Sequence, residues 1–566
     1  MPSTGLHWNV LDETLIRWRS HPAGTAHSGS LPQLLAALAA NEVRDFPALR
    51  PHQRHPWHAF LVQLAAIALH HAGQSEPWHD AQDWRAALLA LTPDDPDGAA
   101  WCLVAPPHRP ALLQAPVPGG IADWDTDIRA PDRMDMIGTS KNHDLKRARA
   151  GQANANDWFF ALVSLQTQAG SNSGSYKGIS RMNSGAGSRP SIGVSQQSAA
   201  FSQRWRDDAI ALLRAREAIA DTYELPAHGG LSLLWLVPWD GKDSLNFQTL
   251  DPCYIEICRR LRLEMREGSV FARTTKTPAS RIQENEARKG RTGDFWTPID
   301  KEGEKIMAVP RQGFGYQLVT KLFIEAGHFE PAPAQALLHS NSAAPLELVC
   351  KGIAPDGNSK TSGYHERRVP ISPKLRKKIA GDQRPLVAGQ AKRRIEAISA
   401  MRGLLKDALY LLFENGLPQV QGKKKNPTSD DRASRFAQPF EQQEDARFFD
   451  DLNVQIEAES EEQEDAVYLA WLLGLAARAQ AVLTNAFHAG PRSAMQRYKA
   501  QSAALSRFHA GLRGGKKPLF PELVAHYAAQ RESAHPTPCS TPSSQGDASC
   551  STPQNPQLPP QQLSLL

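Results

Sequence analysis

At 566 residues and 41% hydrophobic content, the chain is long and apolar enough for roughly two to four packed domains, which excludes a wholly disordered protein. A formal net charge of +5 is too mild at this length to indicate a nucleic-acid partner by itself, so the local distribution of charge has to decide. The six cysteines (Cys102, Cys253, Cys258, Cys350, Cys539 and Cys550) form no CxxC pair and no zinc spacing, which predicts reduced thiols in a cytoplasmic protein.

The N-terminus lacks a basic start followed by an apolar run, so no signal peptide is predicted. Apolar stretches are broken by charged or polar residues before they reach a membrane's span, which predicts no membrane partner. Residues 1–130 read as an independently packed start. Ser30 is placed to cap a short helix over Leu31–Leu38, and His58–His71 carries Phe60, Leu61, Leu64 and Ile67 at helical spacing. The proline-rich passage from Pro106 to Pro118 reads as an extended connector. A polar, basic stretch from Met134 to Arg149 follows, and then an apolar helix over 157–168.

That helix empties into a loop of glycine and serine, Gly170–Pro190, which carries Lys177, Arg181 and Arg189 and almost nothing acidic. Glycine lets backbone approach another molecule, and exposed N–H groups beside cations suit a polyanion such as a nucleic-acid backbone. A flexible surface loop is the plainer alternative. Downstream, the pattern predicts an amphipathic helix through Ala209, Leu212 and Leu213, a buried strand at Leu231–Val237, a helix over Leu250–Leu263 and a strand at Ser269–Thr274. The polar excursion Thr275–Thr297 contains Lys276, Arg281, Arg288, Lys289 and Arg291. Leu346–Gly352 alternates as a strand and runs into an exposed turn over 356–364.

The chain then becomes strongly basic. Arg367, Arg368, Lys374, Arg376, Lys377, Lys378, Arg384, Lys392, Arg393 and Arg394 are opposed locally only by Glu366 and Asp382. This is the best purely physical sign of a phosphate-binding surface. Four helical patterns follow: Ile395–Leu412, ended by Gly416 and Pro418, then Phe436–Leu452, Asp465–Phe487 and Ala494–Leu512. Short connections and one apolar face each predict an antiparallel bundle. The fold class is therefore α+β. A mixed N-terminal domain over 1–385 precedes a four-helix bundle over 386–530 and a disordered tail over 531–566 rich in Pro, Ser, Thr and Gln.

Catalytic signatures are absent from the sequence. His365-Glu366-Arg367-Arg368-Val369 begins like a zinc-protease helix but has valine where the second histidine belongs. Gly170-Ser171-Asn172-Ser173-Gly174 places asparagine at the position of a G-x-S-x-G nucleophile. No catalytic residue, metal site or cofactor is assigned, and a binding protein rather than an enzyme is predicted. The competing readings are a stand-alone hydrolase, using a serine of the 171–184 loop with a distant histidine, and a purely architectural subunit of an RNA complex.

Several short motifs occur in one order: Asp135-Met136-Ile137, Ser140–Lys146, Trp158–Thr167, Gly178–Asn183, Gly187–Pro190, Leu250-Asp251-Pro252, Gly293–Pro298 and Gly363–Arg368. Over roughly residues 8 to 515 the chain resembles the CasA family, the large subunit of the type I-E CRISPR surveillance complex Cascade. The resemblance implies a subunit that is not itself a nuclease. It would read a protospacer-adjacent motif in duplex DNA, aid duplex opening and R-loop formation, and recruit a helicase-nuclease effector in antiviral defence. Protein would read the short motif while guide RNA reads the rest. The implied partners are the guide-RNA-bearing backbone, handle-binding and small subunits, target double-stranded DNA and its displaced strand.

Carried over by residue, the resemblance implies motif reading by Ser173, Gly174, Ser175, Tyr176 and Lys177. It adds a groove-reaching lysine at Lys289, with Arg288 and Arg291 as neighbouring alternatives. It places a wedge between base pairs at Asn358, Ser359 and Lys360, and guide-handle or neighbouring-subunit contact at Ser140, Lys141, Asn142 and His143. The DNA-backbone surface would be Arg367, Arg368, Lys374, Arg376, Lys377 and Lys378. The sequence departs from the family in the serines of the reading loop, a shorter wedge turn without glutamine, and the absence of the zinc-like cysteine cluster of some members.

Overall fold

The structure is a computed structural model, and it describes residues 5–135, 153–171, 174–182, 187–283, 286–339, 344–355, 361–417, 425–514 and 518–534. Two large apolar clusters organise it. The first gathers around the helix Arg54–His71, which is buried at every position from His55 to Leu69. A helix apolar on all sides belongs at the centre of a domain. Trp57 on this helix meets Phe46, Phe60, Phe159 and Phe160 with ring centroids 4.7–5.9 Å apart. The last two lie on the helix Ala155–Gln168, opened by Asn154, whose side chain accepts from the Asp157 N–H while the Asp157 carboxylate accepts from the Asn154 N–H. The amphipathic helix Phe201–Tyr223 covers the same core from the other side.

The helix expected over Leu250–Leu263 is instead two strands, Leu250–Ile255 and Leu261–Arg266. Every residue of the first strand is buried, so the alternation that marks a half-exposed strand is missing. Pro252, which has no N–H for a helix, sits inside it. Asp251 secures the strand from within by accepting from the Cys253 N–H at 2.8 Å and pairing with Arg216 at 2.6 and 2.7 Å. The strand predicted at Leu231–Val237 is shorter, Leu231–Leu233, and lies parallel to Leu250–Ile255.

The second cluster joins a three-stranded sheet to the C-terminal helices. The strand Leu346–Pro355 is central, antiparallel to both Ser191–Gln196 and Thr361–Ile371, and buried on both faces through Ala354. Against it pack Arg384–Phe413, Pro427–Ile456, Glu461–Asn485 and Ala494–Arg513, the four expected helices, each longer than its apolar pattern. A further helix, Pro521–Ala534, docks on the third and fourth and runs past residue 531. By length and composition, the segment Glu461–Ala489 suffices to cross a membrane, contrary to the sequence expectation. Its apolar face, with Leu472, Leu475, Ala479 and Leu483, is packed inside the bundle. Cys102, Cys253, Cys258 and Cys350 are buried and unpaired.

Candidate nucleic-acid interface

The glycine-serine loop is held at its neck by backbone contacts that only glycine permits. A Cβ on Gly178 would stand 2.5 Å from the carbonyl carbon of Gly170 and from the Ser171 nitrogen. The Gly170 N–H donates to the Gly187 carbonyl at 3.0 Å, and the Ile179 N–H donates to the Ala169 carbonyl at 3.1 Å. Arg259, itself buried, donates to the carbonyls of Gly170 (2.9 Å) and Lys177. Gln166, from the preceding helix, accepts from the N–H groups of Cys258 and Arg259 and so fixes the connector that carries this arginine between the strands Leu250–Ile255 and Leu261–Arg266.

Two of the loop's three cations point inward, where sequence reasoning put them on the ligand side. Arg189 is buried and grips Asp294 through two bonds of 2.6 and 2.5 Å. Its positive charge, with that of Arg181, holds the Asp294 carboxyl below the ordinary range although burial pushes the other way. Arg181 lies over the Tyr254 ring at 3.7 Å and donates to the Tyr254 carbonyl. Beside it, buried Glu256 accepts from Ser180 at 2.6 and 3.0 Å. Burial pushes its carboxyl up to about 7 against the pull of Arg181.

The tip faces outward. Ser175 and Lys177 bracket a parallel bridge between Tyr176 and Thr277, with the Thr277 N–H donating to Ser175 at 2.8 Å and the Lys177 N–H to Thr277 at 3.0 Å. Gly174 is exposed, and a Cβ built there meets nothing within 4 Å. The fold therefore requires glycine at 178 and makes no such demand at 174. Lys276, exposed beside Thr277, is a cation next to the tip that the sequence reading did not assign. Nothing local marks it, because the 176–277 pairing spans a hundred residues.

Lys289 is exposed on a turn with left-handed backbone (φ 46°) followed by Gly290 (φ 80°). Its Nζ donates to the Gly303 carbonyl at 3.2 Å. Of its alternatives, Arg288 lies over the Phe247 ring at 4.2 Å, and Arg291 donates back to the carbonyls of Arg288 and Ala287. Under the loop, the Tyr254 hydroxyl meets Ser180 at 3.2 Å. Ser173, the wedge residues Asn358, Ser359 and Lys360, and Ser140, Lys141, Asn142 and His143 all lie outside the described residues.

No protein-family model and no curated protein matches the sequence. Solved structures do. The chain superposes on Cse1 from Acidimicrobium ferrooxidans with a TM-score of 0.59, 14% identity, and coverage of 93% of this chain and 99% of that one. CasA from Thermus thermophilus gives 0.58 at 13% identity, covering 89% and 98%. A chain described as a CRISPR RNA-guided surveillance complex gives 0.54 at 12%, covering 89% and 99%. The chain has the Cse1/CasA fold.

Within this CasA fold, the basic stretch after residue 366 meets acids that its local sequence does not contain. Arg367 binds Asp445 at 2.7 and 2.8 Å and the Phe314 carbonyl, tying the sheet to the second bundle helix. Arg368 reaches Glu347 at 2.6 Å and Glu366 at 3.1 Å. Lys374 donates to the carbonyls of Glu457 and Ala458, buried Arg376 to that of Leu338, and Lys378 lies 3.5 Å from Glu464. Lys377 is exposed, with no carboxylate partner among the described residues. His365-Glu366 lies on the strand Thr361–Ile371, not on a helix. No three metal-ligating side chains converge among the described residues.

Proposed function

We propose that this chain is the large subunit of a type I-E CRISPR Cascade complex. It recognises a short protospacer-adjacent motif in duplex DNA through the 173–177 loop and Lys289, and Asn358, Ser359 and Lys360 wedge the duplex open. Guide RNA on the neighbouring backbone, handle-binding and small subunits, contacted through Ser140–His143, then pairs with one strand. The chain displays the opened target to a helicase-nuclease and breaks no bond itself. Support comes from one coincidence: over 93% of its length the chain has the Cse1/CasA fold, and the loop in question carries an exposed glycine, Gly174, that its own packing does not require. A glycine without an internal reason fits close approach of backbone to a ligand.

The test uses the chain assembled with its guide complex. Lys177→Ala, Lys289→Ala and Gly174→Val should each weaken binding to motif-bearing duplex by about tenfold, as for loss of a good groove contact, with assembly unchanged. Wild-type affinity in all three would refute the assignment of the loop.

A further inference from the structure

The outer face of the helix Ala494–Arg513 plays no part in that reading. From Ala466 to Pro521 the sequence contains eight Lys or Arg and no Asp or Glu. Residues 492–499 are all exposed, and Met495 and Tyr498 are 81% and 78% exposed, the largest values among bulky apolar side chains of the described residues. Arg492, Arg497 and Lys499 flank Tyr498 and meet no carboxylate among the described residues. Arg497 donates only to the carbonyls of Pro491 and Arg492, at 3.1 and 3.2 Å, in its own turn. Alongside runs an open groove of about 620 Å³. Phe487, Tyr498 and Leu505 supply its apolar walls, Gln501 its amide, and His509 and Arg513 its far end.

An exposed ring among unpaired cations, in a groove without a carboxylate, suits a polyanion that also offers flat apolar faces. Single-stranded nucleic acid has both, because unpaired bases stack on aromatic rings while phosphates meet the cations. A duplex hides its base faces and would leave Tyr498 and Phe487 unused. We propose that the groove along Phe487, Tyr498 and Arg513 is a second nucleic-acid site that binds single strands with little regard to sequence.

Anisotropy of labelled 20-mer oligodeoxythymidine and oligouridine with the full chain tests this, and the two probes distinguish a DNA strand from an RNA strand as the ligand. Tyr498→Ala should weaken binding of at least one probe by about tenfold, and Tyr498→Phe, which keeps the ring, should not. Replacing Arg492, Arg497 and Lys499 together by alanine should lower the slope of log affinity against log salt by about 2. All these side chains are exposed, so unfolding curves should match wild type. Lys177→Ala and Lys289→Ala should leave oligonucleotide binding intact, which separates this site from the duplex-reading loop. Unchanged oligonucleotide affinity in Tyr498→Ala, or loss of a protein partner in its place, overturns the proposal.

Discussion

Between Arg367 and Arg394 ten cations crowd a stretch with one acid of its own, and between Ala494 and Arg513 four cations share a helix with none. By sequence the first region is the more basic. In the fold it is largely neutralised, because Asp445, Glu347 and Glu464 arrive from distant elements and carbonyls absorb Lys374, Arg376 and Arg384. In the second region only Arg507 finds a carboxylate among the described residues, that of Asp407. Charge counted along a chain is therefore a poor guide to charge presented to a ligand. What counts is whether opposite charge converges from elsewhere, and guanidinium groups are well suited to be consumed as internal mortar.

The comparison is most open to attack at its internal extreme. Arg189→Ala would strand Asp294 as a buried, unpaired carboxylate and should cost about 3–5 kcal/mol in denaturant unfolding of the full chain. A loss below about 1 kcal/mol would mean that this pair is dispensable to the loop's seat.

Arg367→Ala, which unties the sheet from the bundle at partly exposed Asp445, should cost less, about 1–2 kcal/mol. It should leave the salt dependence of DNA binding unchanged. A shallower salt slope with stability intact would return Arg367 to the DNA-facing class assigned from sequence.

The smallest effect sharpens the contrast from the other side. Exposed Lys377→Ala should change stability by less than about 0.5 kcal/mol. If this residue still serves the DNA backbone, its loss should lower the salt slope by about 0.9.

Much of the architecture was legible because it rests on local rules. Ser30 and the apolar spacing placed Leu31–Ala39, and stripes of Leu and Ile placed the bundle. The strand at Leu250–Ile255 was missed because burial on both faces erases the period by which a strand is recognised. The inward turn of Arg181 and Arg189 was illegible for a related reason. Their partners, Tyr254 and Asp294, stand 73 and 105 residues away, and nothing within the loop announces them. Lys276 escaped notice as a neighbour of the tip because it is brought there by a pairing of equally long range.

The packing of Gly178 against the backbone of Gly170 and Ser171 has a consequence for how such a protein changes over time. The neck closes like a socket whose fit owes nothing to the residues beyond it. Tip residues such as Gly174 and Ser175 are thus interchangeable parts, open to substitution or lengthening while the socket keeps its shape. Substitution there costs folding almost nothing, whereas any side chain at 178 would break the socket.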